Sequence, residues 1–475
     1  MSSVIWWIRR DLRLNDNSAL QAAVASDQAV IPVFILDPKL INSQNASEKR
    51  LGFLWAGLDQ LNQDLGARGS RLIIRNGPPA AALKKLMLEE DAKLIFAEAD
   101  YSPYARKRDA DVALQLPLHL EGRTSISHPE AVLKSNGKPY AVYSPYMRAW
   151  KALHKPEEWL PRPAPAQIHS PKGIHSEPIP LAPIMMPDSY FKPGEVAARE
   201  RLAAFTIGLE PEIYHYVEGR NRMDLNATAM ISPYLRFGML SAREAAWAAF
   251  QAQQSAPDTQ GRKGAETWLN ELIWREFYIS ILYNHPEVLG QSFRPEFRDI
   301  PWRNDADDYA AWCKGCTGYP IVDAAMRQLT QSGWMHNRAR MIVASFLVKD
   351  LLIDWRWGQR LFMQQLIDGD PAANNGGWQW TAGTGTDAAP YFRIFNPTLQ
   401  SKKYDPQGIF IRKWIPELSQ MPQKYIHTPW ELPSDKQSEI GCIIGKDYPA
   451  PIIEHSFARQ RSLHTYKLSK DFSGQ

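Results

Sequence analysis

The run Trp268-Leu-Asn-Glu271-Leu-Ile-Trp274-Arg275 sets an acid and an indole three residues apart. On a helix that spacing shares a face, so the carboxylate can hydrogen-bond the polar edge of a heterocycle while the indole lies against its π-face. An exposed Glu beside a half-buried core Trp would carry the same letters. Further on, Asp368-Gly369-Asp370-Pro-Ala-Ala-Asn374-Asn-Gly-Gly-Trp378-Gln-Trp380 is hemmed by two acids and two indoles. Its paired glycines permit close approach of backbone to a ligand, its acids suit ribose hydroxyls, and its amides can donate to ring nitrogens. A plain turn explains Asn-Gly-Gly but not those flanks. Between Asn226 and Tyr234, Thr228 and Ser232 put hydroxyls where a loop meets a helix, suitable for an anion such as a diphosphate. An ordinary Ser cap followed by Pro233 reads the same way. In Trp334-Met-His336-Asn337-Arg338-Ala-Arg340-Met341, Asn337 and Met341 share one face, and Met341 is by default a core filler. The two arginines need carboxylates if buried, and Asp368 is drawn as the partner of Arg340.

These residues need a scaffold. Val4–Ile8, Ala29–Leu36, Arg71–Arg75, Lys93–Ala97 and Leu118–Leu120 read as short strands, and Ser18–Ala25, Lys49–Leu65, Pro78–Glu90 and Ala105–Leu114 as the helices between them. That alternation predicts a parallel sheet with helices on both faces, a Rossmann-like α/β domain over residues 1–130. No GxGxxG follows the first strand, so the fold alone does not name a ligand. Ten prolines from Pro156 to Pro193 forbid helix or central strand over most of that length, and 131–195 reads as a Pro-rich interdomain linker. From 196 to 475 the pattern is helical, with Ser241–Gln254, Gly264–Leu282, Tyr319–Ser332, Met335–Leu352 and Gln359–Leu366 as helices. The fold class is α/β followed by all-α, without internal repeats.

Composition narrows the options. With 475 residues, 55 Lys+Arg against 51 Asp+Glu, 44% hydrophobic and 22% charged residues, the chain is globular rather than disordered or membrane-spanning. Arg9, Arg10 and Asp11 cut the apolar start too soon for a secretory signal, which points to a cytoplasmic protein. Three cysteines make no disulfide framework, and Cys313 with Cys316 lacks a second pair for zinc, so no metal is expected. Tryptophan is the outlier: nine of the 17 fall between Trp268 and Trp380, whereas a core is more readily filled with Leu, Ile and Phe.

From Val4-Ile-Trp-Trp-Ile-Arg-Arg-Asp-Leu-Arg-Leu to Tyr448-Pro-Ala-Pro-Ile-Ile, and most densely over Gly333 to Leu418, the chain resembles the photolyase/cryptochrome flavoproteins, most closely the class I cyclobutane-pyrimidine-dimer photolyases. The resemblance implies a light-harvesting antenna in the first domain and a folded FAD in the helical one. Tyr216, Thr228, Ala229, Met230, Ile231, Ser232, Trp268, Arg275, Asn337, Arg340, Asp368, Gly369, Asp370 and Asn374 fall on its flavin-site positions. Arg220, Glu271, Trp274, Arg275, Tyr278, Asn337, Arg338, Trp380 and Gln400 fall on its DNA-contacting positions, with Lys402 and Lys403 for phosphates. The implied partner is UV-damaged DNA, with no protein partner and a monomer as the simplest expectation. The implied chemistry is electron donation from excited, fully reduced FAD to a flipped-out dimer, with return of the electron after the ring splits. Trp274 and Trp380 would wall the lesion, Glu271 would stabilise its radical anion, and Trp302, Trp355 and Trp378 match an electron-transfer triad, Trp378 nearest the flavin and Trp302 nearest solvent.

Three relatives compete within that resemblance. Enzymes of (6-4) photoproduct repair carry histidines at the positions of Asn337 and Met341, and His336 is turned about a quarter-turn away on a helix. Many signalling cryptochromes replace the residue facing flavin N5, here Asn374, with Asp or Cys and add a long tail. Cyclobutane-dimer repair is therefore the reading. For the antenna, the folate-binding pattern would carry an Asn-Glu pair where this chain has Tyr104 and Ala105, and the stretch Pro103-Tyr104-Ala105-Arg106-Lys107-Arg108-Asp109 looks more like deazaflavin or flavin binders. A deazaflavin-type antenna in an apolar slot near Tyr104 and Arg106 is expected, with FMN or none as alternatives and folate last.

Overall fold

The run Ser3–Ile8 is buried at every position, the pattern of a strand covered on both faces. A computed structural model of the chain describes residues 2–184 and 190–472; Pro187 of the proline-rich stretch lies outside them. Strands β1 (Ser3–Ile8), β2 (Ala29–Leu36), β3 (Ile73–Asn76), β4 (Ala92–Ala99) and β5 (Leu118–Arg123) form one sheet in the order β3-β2-β1-β4-β5. All pairings are parallel, with Val4 opposite Val30 and Leu94. The helices α1 (Ser18–Ala25), α2 (Glu48–Gly66), α3 (Pro79–Glu89) and α4 (Pro103–Ala113) alternate with them. Ile5, Trp7, Ile31, Val33, Ile73, Leu83, Leu86 and Ile95 close into one apolar core, as the alternating pattern predicts.

The proline-rich stretch is preceded by a helix, α5 (Tyr143–Leu153). Its prolines exclude ladder donors, yet single backbone bonds pin it down: Val30 N to His169 O at 2.7 Å, Ile168 N to Arg68 O at 2.9 Å and Glu177 N to Ile74 O at 3.0 Å. Beyond it run α6 (Glu195–Thr206), α7 (Ser232–Phe237), α8 (Ala242–Ser255), α9 (Thr259–Asn284), α10 (Ala306–Lys314), α11 (Pro320–Ser332), α12 (Asn337–Ser345), α13 (Trp355–Gln365), α14 (Pro371–Ala382), α15 (Pro397–Tyr404) and α16 (His455–Phe472). No described helix is long and apolar enough to cross a membrane.

The chain divides into two units. The first holds Met1–Val217, Thr228–Pro286 and Ile367–Ala372, the second Glu218–Ala227, Glu287–Leu366 and Ala373–Gln475. One local expectation is corrected. The helix read over Met335–Leu352 begins at Asn337, because the His336 ring caps it, and it ends in a π-turn over Phe346–Asp350. The Asn-Asn-Gly-Gly run lies in the middle of α14, whose first turn is fixed by Asp370 Oδ1 accepting from Ala372 N at 3.0 Å.

Candidate functional site

In the first unit the loop before α7 holds Met230 at φ +50°, a left-handed conformation unusual for a side chain of this size. The cap of α7 is Ile231, which has no side-chain bond to give. Ser232 instead donates its hydroxyl to Asp368 Oδ2 at 2.6 Å, Arg236 Nε donates to Gly369 O at 2.7 Å, and Arg10 Nη2 lies 2.7 Å from Asp370 Oδ2. All three residues of the Asp-Gly-Asp segment are thus fastened. Arg10 is shared with Asp100, 3.5 Å away. Among the described residues Arg236 has no carboxylate within ion-pair distance. Burial, with Arg10 and Arg50 adding to it, pushes its pKa down to about 9 against the opposing Asp370 and Asp100. A half-buried cation hydrogen-bonded to a carbonyl fits an anionic group such as a diphosphate.

Helix α9 presents Glu271 and Trp274 on one half-buried face. The Trp274 ring is stacked on Tyr143, centroids 3.6 Å apart and 7° from parallel, and Tyr278 lies 5.5 Å from it. One turn earlier, Trp268 packs against Phe205 at 5.4 Å, which in turn meets Tyr216 edge-on at 5.9 Å. Arg275 is anchored by Thr124 O at 3.1 Å and Glu276 at 3.5 Å. Burial raises the Glu276 carboxyl, although it accepts from Ser127 N and Ile126 N at 2.8 and 3.1 Å. On α4, the Tyr104 hydroxyl donates to Asp37, and Arg106 donates to Tyr283 O at 2.9 Å with its guanidinium 4.0 Å over that ring. On the same helix Arg108 is held between Asp109 at 2.8 Å and the Trp7 ring at 5.0 Å.

In the second unit Asn337 is exposed and Met341, one turn on, is half-buried. Arg340 Nε donates to Met335 O at 2.8 Å. Arg338 donates to Asn221 Oδ1 at 2.6 and 3.1 Å and lies 4.5 Å over Tyr404. Burial and the nearby Arg220 lower its pKa, Tyr404 opposing them. With Lys402, Lys403 and Gln400 on α15, this makes a basic face suited to phosphates. Asn374 donates from Nδ2 to Gln359 O at 2.9 Å, which fixes the amide's orientation and identifies its Oδ1 as the acceptor end. Of the three tryptophans, Trp355 and Trp378 are 0% and 2% exposed, while Trp302 is half-buried and meets Tyr466 edge-on at 6.0 Å. Gly358 makes room for the Trp378 ring: a Cβ there would sit 2.0 Å from it. Trp380, two residues on, is half-buried. Trp378 Nε1 and His336 Nε2 are buried with no protein partner among the described residues, which leaves donors for a bound group.

His336 was read as a bystander, yet its Nδ1 accepts from Arg338 N at 3.1 Å and so must be unprotonated. Burial, then Arg338 and Arg340, lower its pKa to about 4. An unfolded histidine titrates near about 6.5, so between these values the unfolded chain binds a proton that the folded chain refuses. Stability therefore falls as pH drops through that window, by up to about 3 kcal/mol. His336→Asn keeps the cap and removes the titration. Its melting temperature should fall less than the parent's between about pH 7 and about pH 5; an equal fall refutes the assignment.

Sequence reasoning missed Arg10, Asp100, Arg236 and Tyr143. The first stood in plain view as a charge ending an apolar strand, but its partner Asp370 is 360 positions away.

Residues 4–167 match the family described as DNA photolyase, and residues 268–468 that described as FAD binding domain of DNA photolyase. The chain is 38% identical to the deoxyribodipyrimidine photo-lyase of a Synechococcus species, covering 98% of this chain and 97% of the relative. It is 40% identical to that of Escherichia coli over 99% of each. A class III photolyase from Agrobacterium tumefaciens superimposes with a TM-score of 0.91 at 36% identity, over 99% of this chain and 98% of that one. A Synechocystis cryptochrome does so at 0.88 and 29% identity, over 98% and 99%. A strained hydroxyl loop facing a fastened Asp-Gly-Asp segment, an acid–indole helix and this likeness along the whole length have one common explanation: the chain belongs to the DNA photolyase family.

Proposed function

We infer that the protein is a light-dependent DNA repair lyase that splits cyclobutane pyrimidine dimers. The observation that carries this is the pair on α12: Asn337 exposed and Met341 one turn on, neither able to protonate a (6-4) lesion. FAD would be held by the Thr228–Ser232 loop, Arg236 and Asp368–Asp370, whose donors and acceptors are described above, and the family resemblance adds Asn337, Arg340 and Asn374 as flavin-site positions. When bound and fully reduced, FAD supplies on illumination the electron that opens the cyclobutane ring and recovers it afterwards. The chain does the rest. Arg338, Lys402 and Lys403 take phosphates, Trp274 and Trp380 offer faces to the extruded bases, and Glu271, in its protonated form, donates a hydrogen bond to the pyrimidine edge as negative charge develops there. Asn374, its amide oriented by the bond to Gln359, can accept a hydrogen bond at Oδ1 from a protonated ring nitrogen. The cytoplasm is the compartment we propose, supported by three cysteines left as thiols.

Blue light should restore an oligonucleotide carrying a cyclobutane dimer and leave a (6-4) photoproduct unchanged by chromatography. Light-driven loss of the (6-4) product overturns the substrate assignment.

For the second chromophore we keep a deazaflavin-type antenna on the α/β side, supported by Tyr104 and Ala105 standing where folate binders carry Asn and Glu. The two FAD molecules named for an archaeal photolyase from Sulfolobus tokodaii, similar at a TM-score of 0.80 and 30% identity, make a flavin the first alternative. Denaturation and mass analysis of the released chromophores should give FAD with a deazaflavin; stoichiometric methenyl-folate would refute it.

A further inference from the structure

We propose that Tyr143 is a positioning residue for lesion recognition: it backs the Trp274 indole so that the ring stands ready, with a single face to offer an extruded dimer. The proposal rests on the reading of Trp274 as a wall of the lesion site. Three observations carry it. The two rings are parallel within 7° at 3.6 Å, a full face-to-face contact rather than an edge. The Tyr143 hydroxyl donates to Asn270 O at 2.7 Å; Asn270 lies one turn before Trp274 on α9, so the phenol is tied to the helix that carries the indole and cannot slide off it. Phe277 adds a third contact, edge-on to Tyr143 at 5.9 Å and to Trp274 at 5.7 Å. Tyr143 is buried while Trp274 keeps partial exposure, and the indole face stacked on Tyr143 is covered.

The consequence is physical pre-organisation. A base that stacks on a mobile ring must also order it, and that cost is taken from its affinity. A ring already clamped gives the stacking energy in full. Undamaged duplex, which places no base in the pocket, gains nothing from the clamp.

The test uses the flavin-loaded protein in the dark, with fluorescence anisotropy on oligonucleotides with and without a cyclobutane dimer. Tyr143→Leu keeps apolar volume but loses the stack and the hydroxyl bond, so its melting temperature should fall, and it should weaken dimer binding by ~10-fold with undamaged binding unchanged at a temperature where it is folded. Tyr143→Phe keeps the ring and should stay close to the parent. Dimer affinity in Tyr143→Leu equal to the parent overturns the proposal, as does Tyr143→Phe losing as much as Tyr143→Leu, which would make the hydroxyl rather than the ring the active part. Should Tyr143→Leu not fold, nitrogen-15 relaxation of the Trp274 indole in the unliganded parent decides: a rigid ring supports the clamp, a mobile one refutes it. Trp274→Ala separates the two levels. If it binds the dimer normally, the lesion-wall reading and the proposal fall together; if it binds poorly while Tyr143→Leu does not, only the proposal falls.

Discussion

Replacing Trp302 with Phe should abolish light-driven reduction of the bound flavin while leaving chemically pre-reduced protein able to repair. Trp355 and Trp378 are sealed from solvent, and Trp302 is the member of the three with partial exposure, so in the proposed triad it would be the ring that takes an electron from an external reductant. Phenylalanine keeps an aromatic ring against Tyr466, so packing changes little. It lacks the readily oxidised indole. The measurement is bleaching of the oxidised flavin band under blue light with an external thiol, set beside repair by dithionite-reduced samples. Parent-like bleaching in the variant would return Trp302, Trp355 and Trp378 to the status of packed rings. Loss of repair in the pre-reduced sample would show that Trp302 serves the structure instead.

The second large effect concerns Glu271. Glu271→Ala should slow repair by ~100-fold, the usual consequence of removing one preorganised hydrogen bond to developing charge. Affinity for the dimer in the dark should change far less, because the bond matters most after charge has moved onto the pyrimidine. Glu271→Gln retains an amide donor and should fall between the two. Equal losses in affinity and rate would mean that Glu271 merely binds the ground state.

How much of this was legible in the letters differs by level. The five strands and their helices were, because apolar runs such as Ala29–Leu36 bounded by turn residues have few other ways to bury both faces. The Glu271–Trp274 face was, since helical spacing is local. The glycine pair of α14 was not: Gly376 and Gly377 suggest a loop by propensity, but Asp370 caps the helix and the apolar residues around Trp378 hold it, so packing outweighs a cost of about 1 kcal/mol per glycine. His336 misled for a related reason, its ring nitrogen taking a capping role usually filled by Ser or Asp. Contacts across long separations left no trace, Arg10 with Asp370 and Tyr143 with Trp274 among them. Nothing in either local pattern demands the other.

The six residues Ile367–Ala372 that complete the first unit have a bearing on how the chain is made. A ribosome adds roughly 5–20 residues per second, so Asp370 emerges roughly 18–74 s after synthesis begins. The strands β1 to β5 are all translated long before that. Through this interval Arg10 has Asp100 as its carboxylate, and the Arg236 Nε–H, which will bond Gly369, has nothing from that segment to meet. The nascent sheet therefore waits, with cationic side chains meant for burial still in water, until the late-arriving Asp-Gly-Asp segment docks. That makes the arrival of this segment the last step in completing the first unit, at a point when roughly a hundred residues of the chain are still to be made.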